Sequence, residues 1–346
     1  MLYPMKFIPV YKDYMWGGRN FEKFGRPVPD GKLAESWEVS CHKNGVSVIA
    51  NGYLKGMTLP EAIASDPRGM LGTRFETESN DLPLLIKFID ANDKLSIQVH
   101  PDDSYAAVYE GGAGKNEMWY ILDAKPGAKL IAGLKSGTTK EDLELAAKSH
   151  NIERYLNEIE VVPGDVISIP AGLVHSIGEG IVLIEIQQTS DITYRIYDYN
   201  RVDNSGNKRQ LHIERALEVI DFSSKNNCQK CTGVTVQENE SLKKTYIPVN
   251  RYFGCERYEA VGQFSEATDG SRFYIYIVIG GSGCIKSGEA TVEFSTGDTI
   301  FVPATPAEHL FDGCFTALKT YIPDCENIFN NNIKAVDCPD DNLILY

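Results

Sequence analysis

Short β-branched or aromatic runs, each closed off by Gly, Pro, Asp or Asn, recur along this chain and leave room for little but a mostly β fold. LPLLIKFI (83–90), KLSIQVH (94–100), EMWYIL (117–122), DVISIP (165–170), GIVLIEIQQ (180–188), RFYIYIVIG (272–280) and DTIFVP (298–303) are all of strand length. Such side chains fit a pleated, half-buried surface, and the turn residues between them keep the runs separate. The spacing predicts a sandwich or barrel. Helical patterning is local. Thr138-Thr139-Lys140-Glu141 reads as a capping box with Leu143, Ala146 and Ala147 behind it at helical spacing, so a small helical insertion is expected near 138–157. LHIERALEVI (211–220) and LPEAIAS (59–65) predict two further short helices.

A chain of 346 residues is long for one core and predicts two domains. The polar stretch SSKNNCQK (223–230) is the preferred boundary region, giving units 1–222 and 223–346. No apolar run approaches a bilayer span, and the start MLYPMKFIPVYKDY lacks the pattern of a secretory leader, so a cytoplasmic protein is expected. The net charge of −14 argues against nucleic acid or an anionic membrane as partner. It also repels an anionic small molecule at long range, so any cations that hold such a ligand must be local. Of the eight cysteines, only Cys228 and Cys231 have ligand-like spacing, and no second such pair accompanies them. They are read as ordinary thiols of a reduced cytosol, with a structural zinc as the alternative.

A weak internal repeat supports two similar units. Pro170 and His175 stand 6 and 11 residues after Gly164, and Pro303 and His309 stand 6 and 12 after Gly297. Each copy reads as a Gly-Asp turn, an apolar strand ending in Pro, then His, a pattern that resembles the second motif of cupin barrels. The expected architecture is therefore two cupin-type jelly-roll barrels. The second copy has no His or carboxylate where the first has QVHP and a Glu, so the metal site described next belongs to the first unit alone, and His309 reads as a hydrogen-bonded structural residue.

In Ser96-Ile97-Gln98-Val99-His100 the period of two puts Gln98 and His100 on one face and Ile97 and Val99 on the other. Glu117 opens a half-buried apolar strand on a face with Trp119 and Ile121, where a carboxylate needs a partner. His175 follows Pro170-Ala171-Gly172. An amide oxygen, two imidazoles and a carboxylate suit a borderline ion such as Zn²⁺ with an open position, and the lack of thiolates points to catalysis rather than structure. The blander reading makes His100 and His175 separate polar core residues. His42, His150 and His212 have no such company and read as surface or ordinary polar contacts.

Three blocks resemble type I mannose-6-phosphate isomerases of the short bacterial form. They are AESWEVSCHKNGVSVIANGYLKGMTL (34–59), LSIQVHPDDSYAAVYEGGAGKNEMWYILDAKPGAKLIAGL (95–134) and GDVISIPAGLVHSIGEGIVLIEIQQTSDITYRIYDYNR (164–201), with LHIERAL after them. The resemblance implies two cupin barrels with one zinc per chain, held by Gln98, His100, Glu117 and His175. It implies Lys115 as a substrate-contacting lysine, Arg195 as an essential arginine and Glu185 as an active-site glutamate. The implied reaction interconverts mannose 6-phosphate and fructose 6-phosphate through a cis-enediol(ate), by a monomer or homodimer. Glu185 is the expected proton shuttle; a metal-bound water or a histidine is its rival, and a role orienting a ligand or Arg195 is the alternative. Desolvation would raise the Glu185 pKa, while zinc and Arg195 would lower it. Gly114-Lys115-Asn116-Glu117 departs from the family's usual Thr or Ser before the Glu. Competing readings are another sugar-phosphate isomerase, an iron or manganese oxygenase, and a non-catalytic sugar-phosphate sensor.

Overall fold

The structure, a computed structural model, describes residues 2–26, 28–75, 81–149, 151–202, 206–223 and 230–324. The fold is mostly β with few helices, in three antiparallel sheets. A six-stranded sheet runs in the order Val166–Ile169, Glu117–Ala124, Ile181–Gln188, Leu84–Ala91, Glu35–Val39 and Val10–Lys12. A five-stranded sheet runs Tyr194–Tyr197, Ile97–Val99, His175–Ile177, Lys129–Leu134 and Leu156–Glu160. The nine-stranded sheet is built around the long strands Gly254–Thr268, Tyr274–Ser287 and Ala307–Tyr321. Strand pairing leaves all three sheets open, with no closed barrel among the described residues, and the sheets face one another.

The six-stranded sheet is the middle layer. Its central strands Leu84–Ala91 and Ile181–Gln188 are buried along their whole length, which is why they read as nearly unbroken apolar runs. Ile86, Phe88, Met118, Tyr120, Ile184 and Ile186 point one way, into a core shared with Phe253, Ile275, Phe301 and Leu318 of the nine-stranded sheet. Ile89, Trp119, Ile121, Ile181 and Leu183 point the other way, against Leu130 and Ile177 of the five-stranded sheet. Ile97, Val99, Val174, Tyr194 and Ile196 on the far face of that third layer pack under the helices Lys140–Lys148 and Ile213–Val219. The expected alternation is thus realised: with Ile97 and Val99 turned to the helices, the residues between them face the interior.

Helix Leu59–Ser65 falls where expected, capped by Thr58. The insertion helix starts one residue later than the Thr138 box predicts. Its cap is Thr139, whose hydroxyl accepts from the Asp142 amide (3.1 Å) while Asp142 accepts from the Thr139 amide (3.1 Å). Thr138 instead donates to the Lys135 carbonyl (2.7 Å), closing the preceding turn. Asp reaches back as well as Glu does, and that choice decides the register. The helical stretch also stops short of Leu156, which begins a strand.

The expected 222/223 boundary is crossed by the N-terminus: strand Met5–Ile8 pairs with Thr299–Val302 in the nine-stranded sheet. Residues 224–229, including Cys228, lie outside the described residues, as does His150. His309 bonds to the Thr268 hydroxyl (3.1 Å). Among the described residues no helix is long and apolar enough to cross a membrane.

Arg26 ties the two ends of the chain together. It is buried, donates to Glu38 (2.5 Å) and to the Gly297 carbonyl (2.5 Å), and stacks 4.4 Å over the Phe88 ring. Removing one partner of a buried ion pair strands the other charge. Arg26→Met is expected to lose about 3–5 kcal/mol of stability in urea denaturation; a loss below about 1 kcal/mol would show that the pair does not join the layers.

Candidate active site and metal centre

Between the middle sheet and the five-stranded sheet the apolar core gives way to a group of buried polar residues. His175 is placed by the turn Pro170–Leu173, closed by the Leu173 amide on the Pro170 carbonyl (3.2 Å). Gly172 sits in it at φ +85, and a Cβ there would also press on the Val219 carbonyl at 3.1 Å. The Gly172 amide donates to the His100 carbonyl (2.9 Å), so the turn carrying one histidine is pinned to the strand end carrying the other. Asn116 ties Glu117 to the same turn: its Oδ1 accepts from the Ala171 amide (3.0 Å), and its own amide groups donate to Gln188 (2.9 and 2.8 Å). The departure from Thr or Ser at this position therefore has a positioning role.

The two imidazoles are oriented by backbone carbonyls. His100 Nδ1 meets the Ile192 carbonyl at 2.7 Å and His175 Nδ1 meets the Leu173 carbonyl at 2.8 Å. A carbonyl only accepts, so each Nδ1 carries the proton and each Nε2 offers a lone pair. Those lone-pair nitrogens stand 3.1 Å apart. Glu117 closes the group, its oxygens 3.7 Å from His100 Nε2 and 3.6 Å from His175 Nε2. All three side chains are buried, and Glu117 Oε1 has no hydrogen-bond partner. Among the described residues this is the one cluster of three or more His, Cys or carboxylate groups close enough to share an ion. Two converging imidazole lone pairs and an orphaned carboxylate oxygen fit a divalent metal. Gln98 is at the rim, with its amide nitrogen 3.4 Å from His175 Nε2 and its Oε1 accepting from Ser96 (3.1 Å). Rotating the amide would turn Oε1 toward the cluster.

Burial governs the protonation here. It drives the His175 pKa down to about 3 and that of His100 well below its ordinary value, with Lys115 adding to both. Burial and the nearby Glu185 raise Glu117 to about 7 against the pull of Lys115. Lys115 donates to Glu117 and lies 3.1 Å from His100 Nε2 and 3.8 Å from Glu185. The acceptors at the cluster draw the nearest cation onto themselves.

Glu185 is in the site, but its neighbours differ from those expected. Its oxygens accept from Lys87 Nζ (3.0 Å) and Trp119 Nε1 (3.0 Å). Burial opposes its charge, yet Lys115 and Lys87 outweigh burial and hold the carboxyl at about 2. The expected influence of Arg195 comes instead from two lysines, one of them unnoticed in the sequence. Lys87 could have been found: it is a lone cation inside LPLLIKFI, and a buried ammonium needs a partner.

A cavity of about 380 Å³ opens over this floor. It is lined by Lys12, Lys87, Lys115, Arg195 and Arg209 against Glu35, Glu185 and Asp191, an excess of cations in an acidic chain. Arg195 donates from Nε to Ser96 Oγ (3.3 Å) and from Nη1 to the Gln210 carbonyl (3.0 Å). Ser96 thus bridges Arg195 and Gln98. Lys12, Lys87, Arg209 and His212 all line the cavity and none was singled out as a site residue from the sequence; His212 had read as an ordinary polar contact.

The region 5–130, which holds Gln98, His100 and Glu117 and stops before His175, matches the family model "Phosphomannose isomerase type I, catalytic domain". The chain is 37% identical over 320 residues to mannose-6-phosphate isomerase ManA of Bacillus subtilis, covering 92% of this chain and 99% of that one. The chain belongs to the type I mannose-6-phosphate isomerase family. A mannose-6-phosphate isomerase of Streptococcus mutans is 35% identical, covering 90% of this chain and 96% of its own. The crystal structure of mannose 6-phosphate isomerase from Bacillus subtilis superposes with a TM-score of 0.84 at 33% identity, over 92% of this chain and 99% of that one. Membership in this isomerase family makes the chain an enzyme, and the His100–Glu117–His175 cluster fits a metal-dependent isomerase.

His100→Ala is expected to abolish the bound divalent metal measured by elemental analysis, since it removes one of the converging lone pairs. Arg195→Ala should keep it. Equal metal content in wild type and His100→Ala would refute the site.

Proposed function

We propose that this isomerase uses one zinc ion per chain, held by His100, Glu117, His175 and, after rotation of its amide, Gln98, to interconvert mannose 6-phosphate and fructose 6-phosphate through a cis-enediol(ate). The observation that carries this reading is the pair of imidazole nitrogens converging beside an unpartnered carboxylate oxygen, on the floor of a cation-lined cavity. An ion there would supply Lewis-acid polarisation of the substrate's oxygens. The donor set of nitrogen and oxygen suits a borderline divalent ion such as zinc.

The chain's own residues divide the remaining work. Lys115, at the edge of the cluster, is a point charge for an oxygen at the reacting end of the sugar. Arg195 lines the same cavity and offers a permanently charged, planar donor to an anionic substrate. The leaning of Glu185 toward a pKa of about 2 supports a positioning role, in which its charge holds Lys87 and Lys115, over the expected role of proton shuttle. Trp119, Trp37 and Trp16 give the cavity apolar walls.

A coupled assay for fructose 6-phosphate formed from mannose 6-phosphate should give turnover that a chelator abolishes and zinc restores. Turnover that survives complete removal of metal would contradict the reading. Glu185→Gln keeps an acceptor for Trp119 but removes the charge, and should lower kcat by about 10- to 100-fold, as for a partner that positions other groups. A loss of about 10⁴-fold would return Glu185 to the role of base.

A further inference from the structure

The strand carrying Arg195 is bordered by the segment 209–212, and the two are tied at several points. The His212 amide donates to the Arg195 carbonyl (2.7 Å), and the Arg195 amide donates to His212 Nδ1 (3.2 Å). The Gln210 carbonyl accepts from the Arg195 guanidinium (3.0 Å), and Arg209 grips Asp198 through two bonds (2.7 and 2.6 Å). Because Nδ1 accepts from a backbone N–H, it is the unprotonated nitrogen, and in the neutral ring the proton sits on Nε2. The ring lines the cavity, and Nε2 has no hydrogen-bond partner among the described residues. Burial and the nearby Arg195 push the His212 pKa below its ordinary value, so the neutral ring prevails around pH 7.

We propose that His212 is a substrate-binding residue, a fixed neutral N–H donor that binds a phosphate oxygen of the substrate beside the Arg195 guanidinium. The inference rests on the sugar-phosphate isomerase reading for the identity of its ligand. Three features point to an anion at this end. The donor is left over in a corner with two guanidinium groups. The nearby Asp198 carboxylate is already taken up by Arg209 and by Arg201 (2.5 Å). The second terminal nitrogen of Arg195 is also without a partner among the described residues. A phosphate offers several acceptor oxygens to such a pair of donors, and a neutral donor adds directionality without more charge.

His212→Asn is the informative variant, because its Oδ1 still accepts from the Arg195 amide while the Nε2–H is lost. With metal-loaded protein, KM for mannose 6-phosphate should rise about tenfold, in keeping with one hydrogen bond to a charged acceptor, and kcat should stay within about twofold. The inhibition constant of inorganic phosphate should rise by a similar factor. His212→Gln, whose terminal amide reaches toward the place of Nε2, should recover part of both. Unchanged KM and phosphate inhibition in a stably folded His212→Asn variant would overturn the inference, as would a fall in kcat and melting temperature at constant KM, which marks a strand clamp. If the wild type does not turn over mannose 6-phosphate, the isomerase reading falls by itself. Calorimetric titration with inorganic phosphate then still decides this inference: weaker binding to His212→Asn sustains it, and equal binding overturns it.

Discussion

The arrangement on which the rest depends is the meeting of two imidazole nitrogens that cannot bond to each other. Backbone carbonyls fix the protons of His100 and His175 on Nδ1 and leave two lone pairs 3.1 Å apart. Lone pairs at that distance repel unless a cation stands against both. Glu117 brings a carboxyl oxygen without a hydrogen-bond partner into the same space. Burial keeps the histidines neutral. The cluster is therefore built for a cation, and the pinning of the Gly172 turn to His100 keeps the two rings from drifting apart.

Around this centre the charges form a chain. Lys115 leans on Glu117, Glu185 lies between Lys115 and Lys87, and Lys87 reaches toward Glu35 at 3.9 Å. Each buried charge is offset by its neighbour, which allows so many to sit between two apolar sheets. The rim is different: Arg195 and His212 line the cavity, and each has a nitrogen without a partner among the described residues. A floor of paired charges around one unpartnered carboxylate oxygen, beneath a wall that carries Arg195 and His212, suits a small anionic ligand that reacts at one end and is gripped at the other.

Much of this could be read from the sequence, because it follows from period and residue type. The mostly β fold, the common face of Gln98 and His100, and the placing of Glu117 with Trp119 and Ile121 all rest on strand alternation. Alternation says which face a residue takes but not what lies across the gap. That is why the pairing of Lys87 with Glu185, 98 residues apart, and the locking of His212 to the Arg195 backbone across an intervening loop were not legible: neither contact follows from the period of a single strand. The expected pKa balance at Glu185 set burial against nearby cations, as found, but named Arg195 where Lys115 and Lys87 stand. The Thr139 cap differs from the expected Thr138 by a single residue, since both threonines have an acidic residue three positions on. The crossing of Met5–Ile8 into the nine-stranded sheet has no local signature, as strand partners are chosen by the tertiary fold.

Anomalous diffraction at the zinc edge, from crystals of the metal-loaded protein, tests the central claim most directly. One strong peak per chain is expected, at about 2.0–2.2 Å from His100 Nε2, His175 Nε2 and a Glu117 oxygen. A peak elsewhere, or His100 and His175 still facing each other with no anomalous scatterer between them, would contradict it.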